Sequence, residues 1–331
     1  MHKPHIAIGA IGGTISMQSD AAASGVKPTL PIEAMLEAVP KLAGLATIEA
    51  ETIRLVPSAS LDFALLLDVL RWARGQVARG ADGVVILQGT DTLEETSFFL
   101  DLLWDSDKPL VLTGAMRNAS QAGADGPSNL WAAALVAAAR DASRHRGVMV
   151  VFNDQIHEAR WVRKTHTSSV AAFVSPVFGP CGAVLEDGVR YFRAPSPRAP
   201  FPTPEAIRPR VALIECALSD GTELLDFAMG EGRYDGLVVA AFGAGHVSEA
   251  WADRMKQGVQ AMPVIVASRT GAGSTARTTY GYKGGEIDLI ESGMVMAGFL
   301  CPLKARILLT LLLEQPRPDI ERAFAQFNTL P

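Results

Sequence analysis

Thirteen residues, Val84 to Thr96, constrain the fold of this chain more than any other stretch. Val84, Val85, Ile86 and Leu87 form an unbroken apolar run between Asp82-Gly83 and Gly89. A short β-branched run bounded by turn residues reads as a strand buried on both faces, as in a parallel sheet. A helix follows, for which Thr90 or Asp91 can serve as N-cap. Asp91 and Glu94 have capping-box spacing. Thr90 and Asp91 therefore belong at the carboxyl end of a central strand, where ligands bind in open α/β sheets. Thr and Asp at a helix start commonly do no more than cap it, so a cap and a site both remain open readings.

The remaining segments repeat the alternation. Ile6 to Ala10 is a buried strand running into Gly12-Gly13-Thr14-Ile15. That glycine spacing is not the G-x-G-x-x-G of a dinucleotide fingerprint, and Gln18 to Thr29 is small, polar and unlike the helix such a site needs. It reads instead as a lid loop. A helix over 31–39 and a strand over 46–56 come next. The loop Pro57-Ser58-Ala59-Ser60-Leu61 precedes a helix over 62–79, with Ser60 as a candidate cap. Phe63, Leu66, Leu67 and Leu70 recur there at core spacing. A helix over 93–104, a strand over 109–113, an Ala-rich helix over 128–140 and a strand over 147–152 complete a mostly parallel sheet with helices on both faces. Residues 157–167 read as an antiparallel arm, with His157 and His166 as exposed strand residues. Ala183 to Phe192 is a hairpin about Asp187-Gly188.

Six prolines then fall between Pro195 and Pro209, and no helix or interior strand survives that density. The expected organisation is an N-terminal catalytic α/β domain over 1–193, a Pro-rich linker over 194–210, and a smaller C-terminal α/β domain over 211–331. Strands in the latter are expected at 211–216, 237–242 and 264–268, with helices over 302–314 and 317–327.

Composition narrows the function. A net charge of −5 argues against a nucleic-acid partner. Three cysteines without a CxxC pair, Cys181, Cys216 and Cys301, give neither a disulfide framework nor a zinc site. The start is too short in apolar residues for a signal peptide, and the apolar run from Ile307 to Leu313 is too short to span a bilayer. A soluble cytoplasmic protein is expected.

The chemistry on offer is a set of hydroxyls at strand ends, Thr14, Ser60 and Thr90, with Lys164 on the arm. A threonine hydroxyl needs a base to become a nucleophile. A lysine kept neutral by burial and nearby positive charge can be that base. Asp91 could bind an ammonium group or orient the lysine, and helix-start N–H groups could hold an oxyanion. The set suits acyl transfer to water. His246, just past a strand in Phe242-Gly243-Ala244-Gly245-His246, is the histidine best placed for a role.

Five motifs in order now resemble the bacterial-type L-asparaginase and glutaminase-asparaginase family. They are Gly12-Gly13-Thr14-Ile15, Gly89-Thr90-Asp91-Thr92-Leu93-Glu94-Glu95-Thr96, Gly114-Ala115-Met116-Arg117 with Ala124-Asp125-Gly126-Pro127, Lys164-Thr165, and Lys304-Ala305-Arg306. The resemblance implies Thr14 as nucleophile, with Thr90, Asp91 and Lys164 as the second catalytic group. Asp91 would hold the substrate's α-ammonium, Ser60 its α-carboxylate, and the Ala115 carbonyl its side-chain amide, with Gly89 lining the same site. It implies an acyl-threonine, release of ammonia and then aspartate, no cofactor and no metal, and active sites completed across a dimer, commonly within a tetramer.

The departures from the family pattern are specific. The family often carries a lid tyrosine, whereas Val26 stands there and no tyrosine precedes Tyr191. Lys27, or Tyr280 reaching from a neighbouring subunit, are candidates for its role; otherwise turnover is low. The family's Ser-Gln-Asp segment reads Ser60-Leu61-Asp62. His246 replaces part of an Asn-rich turn and would take over a cross-dimer contact, and Glu286 is the candidate for the family's second-domain glutamate. The expected function is L-asparagine hydrolysis with some glutamine activity. The alternatives are another small amide, a non-catalytic asparagine sensor of the same fold, a transfer-RNA-dependent amidotransferase subunit, disfavoured by the lack of a basic patch, and a dinucleotide module, disfavoured by the glycine spacing.

Overall fold

The computed structural model describes residues 3–19, 26–28 and 31–327, with the backbone alone for 16–19 and 26–28. The chain divides into two compact units, 1–202 and 203–331. The division falls inside the Pro-rich stretch.

The first unit is built on an eight-stranded sheet. Five strands are parallel neighbours, in the spatial order Thr47–Thr52, His5–Ala10, Gly83–Leu87, Leu110–Thr113 and Val148–Phe152. Numbered along the chain that order is 2-1-3-4-5, so the direction of winding reverses between His5–Ala10 and Gly83–Leu87. A crevice opens at such a reversal, because the loops leaving the two strands turn to opposite faces. Gln155–Glu158, Gly182–Leu185 and Gly188–Tyr191 extend the sheet antiparallel.

Every residue of Gly83–Leu87 is buried, as the apolar run predicts. Val85 and Leu87 face a cluster containing helices Ile32–Glu37 and Gly126–Ala138. The Phe63–Ala78 and Leu93–Leu103 helices pack together through Phe63 and Phe99, whose ring centroids are 5.1 Å apart. The hairpin turns on Glu186 and Asp187, both at positive φ, which is the geometry that matches strand twist.

Several local expectations are corrected. Ser60 does not cap the helix at Phe63; Asp62 does, accepting from Leu65 N at 2.8 Å. Neither Thr90 nor Asp91 caps Leu93–Leu103. Thr92 holds the N-cap position, and its hydroxyl is bonded elsewhere, donating to Ser58 O at 3.0 Å and accepting from Gln88 Nε2 at 3.3 Å. His157 is fully buried rather than exposed, in a strand paired on both edges, and its Nδ1 lies 2.9 Å from Ser175 Oγ. His166 is exposed but lies outside the strands, its Nδ1 accepting from the Ser168 and Ser169 amides. Within the expected lid loop, Met17–Ser19 and Val26–Pro28 pair as antiparallel strands. The Val26 and Lys27 side chains lie outside the described residues.

The first part of the Pro-rich stretch is not a free linker. Ser196 donates to the buried Glu158 at 2.6 Å, Arg198 donates to the Asp101 and Trp104 carbonyls at 2.6 and 2.9 Å, and Phe201 N donates to Leu102 O at 2.8 Å. Proline leaves extended backbone whose polar groups must find partners elsewhere, and this segment finds them on the first unit.

The second unit carries four parallel strands in chain order, Val211–Glu215, Gly236–Ala241, Val264–Ser268 and Val295–Met296. Helix Pro302–Leu313 packs on three of them. Among the described residues no helix is long and apolar enough to cross a membrane, and no group of three or more His, Cys, Asp or Glu could hold a metal ion. All three cysteines are buried free thiols.

Candidate active site

Two glycine-bearing loops interlock at the winding reversal. Gly12 and Gly13 leave the first strand at φ +104° and +97°, where side chains are strained. A Cβ on Gly13 would lie 2.1 Å from Gly89 N, and one on Gly89 would lie 2.6 Å from Ser58 Oγ. Only glycine lets the loops close to this distance. Thr14 follows directly, half-buried in the short 3-10 turn Thr14–Ser16. A Cβ on Gly114 would be 3.6 Å from Thr90 Cγ2, so the end of the Leu110–Thr113 strand joins the same cluster.

Thr90 is 5% exposed, and its hydroxyl accepts a hydrogen bond from Lys164 Nζ at 2.9 Å. The same ammonium reaches Asp91 Oδ1 at 2.8 Å. Lys164 sits in the two-residue strand Arg163–Lys164, paired with Phe173–Val174, and its backbone N–H donates to the buried Glu94. That bond fixes the arm to the first turn of the helix beginning at Leu93. The group facing the Lys164 amine is the Asp91 carboxylate, not the positive charge expected from the sequence.

Ser60 is not brought to this cluster; Ser58 is. Both lie in the 3-10 turn Ser58–Ser60, where Ser60 is exposed and Ser58 is buried. Ser58 Oγ accepts from Asp91 N at 3.3 Å and lies 3.5 Å from Asp91 Oδ2.

Ala115 is buried on the turn after the Leu110–Thr113 strand, and that turn is pinned from outside. Asp125 accepts from Met116 N at 3.0 Å and from Arg117 N at 2.9 Å. Asn129 Nδ2 donates to Asp125 and to Gly114 O, both at 3.0 Å, while its Oδ1 accepts from Asn153 N. Sequence reasoning singled out neither residue for a role. Their spacing of four on one helix face was the available signal.

In the second unit His246, Tyr280 and Glu286 come together. His246 Nε2 lies 3.2 Å from Glu286 Oε2, and the imidazole meets Tyr280 and Tyr282 edge-on, with ring centroids 4.8 and 5.6 Å away. Burial opposes charge on Glu286. The backbone N–H groups of Tyr280 and Thr279, with His246, outweigh it and hold the carboxyl below its usual range.

A hydroxyl–amine–carboxylate set thus lies at the reversal point of an open α/β sheet, one loop away from a second threonine on a positive-φ glycine turn. Two family models cover almost the whole chain, "Asparaginase, N-terminal" over 5–197 and "Glutaminase/Asparaginase C-terminal domain" over 210–327. The chain belongs to the asparaginase family. It is 37% identical to the probable periplasmic L-asparaginase of Haemophilus influenzae, across 98% of this chain and 93% of that protein. It is 38% identical to the probable L-asparaginase of Deinococcus radiodurans, across 98% of both. A crystal structure of a probable cytoplasmic L-asparaginase from Campylobacter jejuni superposes with a TM-score of 0.88 at 34% identity, covering 98% of this chain and all of that one. As a member of the asparaginase family the chain has the two-unit α/β architecture that its motifs lead one to expect.

Proposed function

We propose that the protein hydrolyses L-asparagine to L-aspartate and ammonia. The observation that carries the reading is Lys164 Nζ bridging Thr90 Oγ1 and Asp91 Oδ1 at the sheet's reversal point. The Thr14 oxygen attacks the side-chain amide carbon, its proton goes to the amide nitrogen, and ammonia leaves. An acyl-threonine remains. A water then attacks the ester carbon, its proton passing through the Thr90 hydroxyl towards Lys164, and aspartate is released as the Thr14 oxygen is reprotonated. Lys164 Nζ lies 2.9 Å from the Thr90 hydroxyl, within reach for that transfer.

Asp91 holds the α-ammonium through the carboxylate it presents to solvent. Ser58, rather than Ser60, meets the α-carboxylate, and Gly89 lets both approach. The Ala115 carbonyl accepts from the substrate amide. His246, Tyr280 and Glu286 complete the site of a second copy in a homodimer or homotetramer, in place of the lid tyrosine this chain lacks. A cytoplasmic location fits the three isolated thiols.

The test is ammonia release by the purified protein across L-asparagine, D-asparagine, L-glutamine and small amides. Fastest release from L-asparagine is expected. Fastest release from L-glutamine would move the reading to a glutaminase. Saturable binding of asparagine without ammonia would make the protein a sensor.

A further inference from the structure

We propose that a cavity beside Ile15 and Ala115 is a binding site for small amphiphilic carboxylates. The cavity has a volume of about 310 Å³ and lies within the first unit. Helix Ile32–Glu37 supplies Ala34 and Met35 to its wall, helix Gly126–Ala138 supplies Leu130, and the segment between Ala115 and Ala124 supplies Arg117. Among the described residues five alanines and a glycine line it, and side chains this small leave space beside the two helices. Gly126 closes it against the site: a Cβ there would lie 3.1 Å from Ile15 Cγ1 and 3.5 Å from Ala115 Cβ.

Two features give the ligand its chemistry. Among the described residues the lining is apolar except for one charged residue, Arg117, which is exposed to solvent. That guanidinium makes one hydrogen bond, to Gly123 O at 3.2 Å, and pairs with no carboxylate among the described residues. A guanidinium has five donors in a planar fork that fits a carboxylate in bidentate fashion, so most of its capacity is open to an anion. An apolar cavity of this size with a charged group at its rim matches the general form of a small-molecule site. A ligand with an aromatic or branched apolar body of about ten heavy atoms and a terminal carboxylate fills it.

The site is coupled to the catalytic cluster through its walls. Ile15 adjoins Thr14, and Ala115 adjoins the turn that Asp125 pins. A ligand packed against both holds the conformation in which the cluster is assembled. Binding of ligand and of substrate should therefore reinforce each other, reciprocally.

The probe is phenylacetate, titrated into the full-length protein against 2-phenylethanol, which has the same ring without the charge. A saturable rise in Tm, with Kd on the order of 1 mM for a ligand of this size, is expected for phenylacetate. 2-Phenylethanol should bind at least several-fold more weakly. Arg117→Met should erase the difference between the two. Ala34→Leu should abolish binding of both by filling the cavity, and Ala38→Leu, on the exposed end of the same wall, serves if Ala34→Leu does not fold. L-Aspartate should not displace the probe, and phenylacetate should raise the rate at limiting substrate. No saturable binding, equal binding of the two probes, unchanged binding in the filled variants, or displacement by L-aspartate would each overturn the proposal. The binding readouts need no turnover, so they stand or fall separately from the amidohydrolase reading.

Discussion

Asp125 should be worth more to this protein than its half-exposed position suggests. Its carboxylate is the common acceptor for the Met116 and Arg117 amides and for Asn129 Nδ2, at 2.9 to 3.1 Å. Asp125→Ala removes all three bonds. Hydrogen bonds to a charged group contribute roughly 1.5–3 kcal/mol each where water cannot replace them. Arg117 N is exposed and rehydrates, and Asn129 keeps its bond to Gly114 O, so the uncompensated loss falls mainly on the part-buried Met116 amide. A total of about 2–3 kcal/mol follows. For a domain of this size that lowers Tm by roughly 5–10 °C. Asp125→Asn keeps an acceptor for the two amides but sets one NH₂ group against that of Asn129, and should lose about half as much. Ala115 rides on the released turn, so kcat/KM for asparagine should fall in the same order, Ala below Asn below the natural protein. The assay pairs differential scanning fluorimetry with ammonia release. An Asp125→Ala protein with unchanged Tm and kcat/KM would refute the pinning role.

Other expectations follow from the same geometry. Lys164→Met should cut kcat by on the order of 10²–10⁴ and change the pH–rate profile, and an unaltered profile would remove Lys164 as the base. Ser58→Ala should raise KM for asparagine while Ser60→Ala leaves it alone; the reverse result would restore Ser60 to the head-group contact. Gln76 is fully buried with neither amide atom hydrogen-bonded, so Gln76→Leu should raise stability by about 1–2 kcal/mol, and a lowered Tm would contradict this. Glu286 has its carboxyl held below the ordinary value near 4.5, so it contributes stability that is present above that pH and lost as the pH falls through its folded value. Glu286→Gln should flatten the acid limb of the stability profile, and an identical limb in both proteins would show that the carboxylate contributes nothing there.

The parts of this protein written locally were legible in its sequence. Strand Gly83–Leu87 is apolar throughout because both its faces are covered, and the hairpin over 183–192 declares itself through its flanking alternation, although its turn falls on Glu186-Asp187, one residue before the Asp187-Gly188 pair that the sequence suggests. The glycine turn before Thr14 and the Gly89-Thr90-Asp91 loop could likewise be placed at strand ends, since burial, period and turn chemistry act over a few residues. Which polar groups meet was decided elsewhere. Ser58 and Ser60 are equivalent by composition and spacing; one faces Asp91, 33 residues on, only because the 3-10 turn points it there. Lys164 finds Thr90 across 74 residues of chain, through an arm held by Glu94. Thr90 and Asp91 are released from capping because Thr92 takes the N-cap position while its hydroxyl is bound by Ser58 and Gln88. His157 is buried with Ser175, 18 residues on, against its ring. A side chain's partner depends on where distant segments come to rest, and that is set by packing of the whole sheet. The sequence therefore determined the elements and the residue types at the site, while the tertiary structure decided which of those residues face one another.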